Sequence, residues 1–137
     1  MAKFIVQDVT VTVNSVDLSD HAFSIDTPET REQIDVSGFN STGAKEFLPG
    51  ALDQTITVGF LNDPATGKVH KTLQPLFAGG STFPITVTDK SSSPKITFSG
   101  TASLYEYNGL SGQLGARAEM TATFKPASNS TFAWGTA

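Results

Sequence analysis

The chain has 137 residues, a net charge of −4 from 9 basic and 13 acidic groups, no cysteine, and only 16% charged residues. That length is one domain with enough chain to bury a core unaided, and the missing cysteines exclude a disulfide framework, a thiolate metal site and a cysteine nucleophile. The acidic balance argues against a general nucleic-acid binder, which needs basic clusters to displace counterions from phosphates.

The amino terminus, "MAKFIVQDVTVTV", lacks the sustained apolar segment and small-residue cleavage site of a secretory signal, and no later stretch is long enough to span a membrane as a helix. Val9, Val11 and Val13 alternate with Thr10 and Thr12, the period-two pattern of a half-buried strand. Asn14-Ser15 is a hairpin tip. "HAFSIDT" points Phe23 and Ile25 one way; after Pro28, "TREQIDV" resumes with Ile34 and Val36 inward and Arg31, Gln33 and Asp35 outward. A glycine-rich loop spans 37–51, and "LDQTITVGFL" then alternates again, with Ile56, Val58 and Phe60 against Thr55, Thr57 and Gly59. One helix is predicted in "NDPATGKVHKTLQPLFAGG": Asp63 caps it, Pro64 sits in its first turn, and Val69, Leu73, Leu76 and Phe77 form one apolar stripe. Pro75 should kink or end it early, and Gly79-Gly80 closes it. Three strands follow in "TFPITVTD", "KITFSGTASLY" and "ARAEMTATFK", the last two joined by a glycine-rich hairpin loop at 109–116. Thr, Ser and Gly dominate the polar positions, which suits strands. The predicted fold is mainly β: six or seven antiparallel strands in a sandwich or partly open barrel with one flanking α-helix.

Signals for catalysis are thin. Asp20-His21 invites a hydrolase or metal reading, but neighbours on a strand point to opposite faces. His70 stands alone on the predicted helix, and no His-x-Glu, paired-His helix or nucleophile elbow occurs. Asp26, Glu29, Glu32 and Asp35 lack the regular oxygen spacing and sharp-turn glycine of a calcium loop, and read as a solvated strand face. No catalytic residue, metal ligand or cofactor site is implied.

The 37–51 loop is unusual because Phe47-Leu48 would expose apolar surface in a monomer; such loops are usually functional or interfacial. An open antiparallel sheet also leaves edges that few lysines or prolines here blunt, and pairing between identical copies around a ring removes them. A competing reading is a carbohydrate-binding sandwich using Phe132, Trp134 and Tyr105 or Tyr107 as a stacking platform.

The run "VTVNSVDLSDHAFSIDTPETREQIDVSGFNSTGAKEFLPGALDQTITVGFLND", followed by "GKVHKTLQPLF", resembles the major tail proteins of long, noncontractile-tailed phages, the tail tube family. The pattern is strand, "VDLSDH", strand, "DVSGF", glycine-rich loop, "EFLPG", strand, "FLND" and a short helix, and the likeness covers about residues 9–125. It implies a single tail-tube domain over 1–137, with an N-terminal arm at about 1–8, an inter-ring loop at 37–51 and a C-terminal arm at 126–137. It implies stacked hexameric rings conducting double-stranded DNA without binding it specifically, no enzymatic activity and no membrane. Implied partners are further copies of the chain and the tape measure, tail tip and terminator proteins. The implied location is the virion tail, assembled in the bacterial cytoplasm. The resemblance implies Phe39, Lys45, Glu46, Phe47, Leu48 and Pro49 as residues of the inter-ring loop, with Phe47, Leu48 and Pro49 its stacking contacts, and Phe4, Phe132 and Trp134 as arm contacts. Candidates for the channel wall are Gln33, Asp35, Thr55, Thr57, Thr97, Ser99, Glu119 and Thr121; Arg31 and Arg117 fit that face only if they pair with carboxylates. Four strands from each of six copies make a barrel of about 24, with a backbone radius of roughly 24 Å at about 4.8 Å spacing and a tilt near 40°. Its channel of about 35–40 Å admits a duplex about 20 Å wide. A tail terminator or a secretion-tube ring protein would share this architecture.

Overall fold

The structure, a computed structural model, describes residues 5–39, 43–63, 65–91 and 94–136. Strand β1 (Val9–Val13) buries Val11 and Val13 completely and turns Thr10 and Thr12 outward. The chain reverses at Asn14 and Ser15, with φ of 50° and 67°, and pairs Val13 with Val16 of β2 (Val16–Asp17). Two central residues at positive φ make the tight hairpin whose twist matches its strands. A 3-10 turn at Ser19–His21 leads into β3 (Ala22–Asp26), β4 (Glu29–Asp35), β5 (Phe47–Gln54) and β6 (Ile56–Leu61). Helix α1 (Val69–Gly79) precedes β7 (Thr82–Asp89), β8 (Ile96–Ser111), β9 (Glu119–Pro126) and β10 (Ala133–Thr136).

The main sheet runs β2-β1-β7-β8-β9-β6-β3, antiparallel throughout, and does not close into a barrel. β8 is its spine. Its first residues pair with β10 and its later ones with β9, so β9 and β10 lie end to end along one side of it. Register shifts after Leu104 and Asn108 bend β8 and wrap the sheet around one core. Phe60, Phe83, Phe98 and Phe124 fill that core, Phe83 edge-on to Phe124 at 5.8 Å. α1 covers it with Val69 and Leu73, Leu76 packing at the margin.

The helix starts later than its sequence suggests. Asp63 instead stabilises the preceding turn, its Oδ1 accepting from the Ala65 N–H at 3.0 Å, and Lys68 takes the cap position. Pro64 lies outside the described residues. Pro75 does not end the helix: the hydrogen bond it forfeits falls on the exposed side, while Leu73 and Leu76 hold the turn to the core. Gly80, at φ 63°, terminates it, its N–H reaching the Leu76 carbonyl at 3.1 Å.

Three other expectations are corrected. The expected single strand over 52–61 is two strands broken at Thr55, β5 pairing with β4 and β6 with β3 and β9. β4 and β5 leave the sheet as a separate hairpin with no layer beneath, so Ile34 and Val36 are exposed rather than inward. Phe23 does not share the orientation of Ile25, because β3 bulges between Ala22 and Ser24 and leaves Phe23 exposed.

Candidate assembly surfaces

The β4–β5 hairpin is built without a core. Its register pairs Ile34 with Leu48 and Asp35 with Phe47, so both arms present apolar side chains. Phe47 is 49% exposed, Leu48 56% and Phe39 fully exposed. Phe47, Leu48 and Pro49, expected in a loop, lie on strand β5. The Glu46 N–H donates to Ser37 Oγ at 2.7 Å, the Ser37 N–H donates to Asp35 Oδ1 at 2.8 Å, and the Val36 N–H reaches the Glu46 carbonyl at 3.0 Å. The Ser37 N–H holds the Asp35 carboxyl below its ordinary value. Lys45 and Glu46 sit at the mouth of the loop, and residues 40–42 lie outside the described residues.

At the base of the hairpin, Gln54 is buried. Its Nε2 donates to Glu29 Oε1 at 2.6 Å and to the Phe132 carbonyl at 3.0 Å, while its Oε1 accepts from the Phe132 N–H at 2.9 Å. Lys125 Nζ bridges Asp53 at 2.9 Å and Thr55 Oγ1 at 3.1 Å.

The proposed wall residues separate into three groups. Thr57, Thr97, Ser99, Glu119 and Thr121 lie on the face of the main sheet opposite the core, beside Thr10, Thr12, Thr86, Thr88 and Thr123. Thr55 stands at the margin, and Gln33 and Asp35 belong to the hairpin instead. The face is a hydroxyl lawn because β-branched Thr suits a pleated surface while its hydroxyl stays wet. Arg117 pairs with Glu119 at 3.4 Å and covers the Phe23 ring at 4.4 Å. Arg31 meets not a carboxylate but the Gly50 carbonyl, at 3.3 Å.

The C-terminal segment folds back on its own sheet. Phe132, expected as an arm contact, is 4% exposed and packs edge-on to Phe98 at 5.3 Å; Trp134 stacks on Phe98 at 4.1 Å and keeps about half its surface. A short polar stretch after β9 conceals this strand from sequence reading. Its burial of Phe132 removes one member of any sugar-stacking platform, and Tyr107 is occupied with His70, the two polar atoms 2.6 Å apart. Burial raises the Tyr107 hydroxyl above its ordinary value. Phe4 lies outside the described residues. β1 and β3 contribute to a cleft of about 700 Å³ lined by Val6, Val9, Val11, Ala22, Phe23 and Ile25.

One cluster escapes sequence reasoning because a strand through Asp20 and His21 would point the two side chains to opposite faces. They lie on the 3-10 turn, where His21 Nδ1 is 2.8 Å from Asp20 Oδ1 and Nε2 is 2.9 Å from Asp63 Oδ2. Lys68 closes on Asp20 at 3.4 Å. Asp20, then Asp63, raises the His21 pKa; the Asp20 and Asp63 carboxyls are lowered, the first chiefly by His21 and the second chiefly by the Ala65 N–H. The Asp17 side chain accepting from Ser19 is the local signal that "DLSDH" turns rather than extends. Among the described residues no group of three or more His, Asp or Glu side chains is disposed to hold a metal, and no helix is long and apolar enough to cross a membrane.

The fold is an open antiparallel sheet around one core, with a flanking helix and a projecting hairpin. No family model matches the sequence, and no curated protein matches it. Solved structures do. A chain of the virion of a native gene transfer agent particle superposes with a TM-score of 0.72 at 14% identity, over 92% of this chain and 95% of that one. The SPP1 tail tube gives 0.69 at 12% identity over 95% and 78%, and Hcp1 from Flavobacterium johnsoniae 0.59 at 12% over 96% and 98%.

Proposed function

We propose that this chain is the repeating subunit of a phage-type tail tube. Six copies close a ring by pairing sheet edges, and rings stack through the β4–β5 hairpin into a conduit for double-stranded DNA. The observation that carries the reading is the hairpin itself: a two-stranded ribbon with every β4 residue exposed and apolar side chains on both arms. Isolated two-stranded ribbons are marginal in water, so this one has its natural complement in a neighbouring copy. The sixfold number is supported by a similar chain in the tail of a gene transfer agent particle described with C6 symmetry, at a TM-score of 0.65.

The hydroxyl face suits a DNA channel. Its two cationic side chains among the described residues of β9 and its approach, Lys125 and Arg117, are each paired with a carboxylate. They leave little unpaired positive charge to hold phosphates. The role is structural rather than catalytic, in a virion tail assembled in the bacterial cytoplasm with tape measure, tip and terminator proteins. Negative-stain microscopy of concentrated protein tests this reading: rings and stacked tubes are expected. A deletion of residues 40–48 should keep the fold and abolish stacking. Compact single molecules at every concentration, with the tail's initiator complex present, would overturn the assignment.

A further inference from the structure

We infer that Gln54 is a positioning residue that makes the projecting hairpin and the C-terminal strand one conformational unit. The use of that unit in stacking rests on the tube reading; the coupling itself does not. Gln54 is the last residue of β5 and the one buried polar side chain among the described residues. Its amide meets the Phe132 backbone through two bonds, accepting from the N–H and donating to the carbonyl, as a neighbouring strand would. The second amide proton goes to Glu29, the residue opposite it at the foot of β4. One side chain thereby grips both arms of the hairpin and the entrance to β10.

The grip falls where the chain has little else to fix it. Among the described residues the hairpin contributes no side chain except Gln54 to the buried interior. Its ion pair to the body, Asp53 to Lys125, is largely exposed and therefore weak. On the far side, Phe132 is pegged against Gly100, where an added Cβ would lie 2.7 Å from its ring. An unmade hydrogen bond at a buried amide is costly, so a tilt of the hairpin that breaks this contact also loosens Phe132. By the same linkage, a neighbour that engages β10 biases the direction in which the hairpin projects.

The test uses the unassembled full chain, whose lack of cysteine permits specific spin labels at Glu32→Cys and Lys95→Cys. Distance distributions are compared for the parent, Gln54→Leu, a truncation removing 131–137, and the two combined. Each single change should broaden the distribution, and the combination should broaden it no further than either alone. Exchange of the Phe132 amide should rise about tenfold or more in Gln54→Leu, while Val58 and Ala122 in the sheet centre stay protected. If Gln54→Leu loses that central protection, the truncation alone decides. A truncated chain with the parent's narrow distribution, or effects that add, would overturn the coupling. Because no tube has to form, failure here is distinct from failure of the tube assignment.

Discussion

Replacing Phe47 and Leu48 together by Ser tests whether the hairpin carries ring stacking. The two side chains are 49% and 56% exposed in the single chain. Full burial of such a side chain contributes about 1.5–3 kcal/mol. The half still available to a neighbour is therefore worth roughly 0.8–1.5 kcal/mol each, or about 1.5–3 kcal/mol per subunit for the pair. With tenfold per 1.4 kcal/mol, the critical concentration for tube growth should rise about 10–140-fold. Sedimentation across a concentration series, with micrographs of the pellets, measures it. Thermal unfolding of the dilute variant serves as control and should move little, since neither residue belongs to the core cluster. A variant that polymerises at the parental concentration would show that these side chains face solvent in the tube, and stacking would have to be reassigned.

Gly100→Ala places a Cβ 2.7 Å from the Phe132 ring and 3.0 Å from the Thr131 carbonyl. It should cost about 1–3 kcal/mol in denaturant unfolding and deprotect β10 amides before those of β6. The His21 cluster sets a pH profile. His21 binds its proton more tightly than its ordinary value of 6.5, so its contribution is full below about that pH and fades as pH rises through the folded value. Asp20 and Asp63 lie below their ordinary 3.8, so theirs is present above that pH and fades on acidification. Thermal midpoints should therefore be highest between these limits and fall toward alkaline pH; in His21→Gln the alkaline fall should be smaller. Lysines at Thr57 and Thr121, both half-buried on the hydroxyl face, should make assembled tubes retain duplex DNA in pull-down, with retention falling as salt rises. Retention unchanged from the parent would place that face outside the channel.

The parts of the fold legible in sequence are those with a strong local period. "VTVTV" announces β1, and the stripe Val69, Leu73, Leu76 marks the inner side of α1. What alternation cannot encode is the partner. Alternation holds from Thr55 to Phe60 and does not show that the chain changes sheets at Thr55, because a period of two fixes the faces of a strand and not its neighbours. β10 was hidden for a different reason: "TFAWGT" acquires its strand identity from β8, whose Gly100 leaves room for Phe132. The apolar character of Phe47 and Leu48 was legible, and their place on a strand was not. The Asp20–His21–Asp63 cluster needed tertiary proximity between residues 42 positions apart.

The threonine and serine rows on the outer face have a consequence for friction. A hydroxyl both gives and takes a hydrogen bond, so water lying on such a surface can swap partners without a large barrier and no ion of either sign is gripped for long. On the tube reading proposed above, a stiff polyanion pushed past this face would glide on a lubricating film, its speed set by the pressure behind it rather than by detachment from the wall.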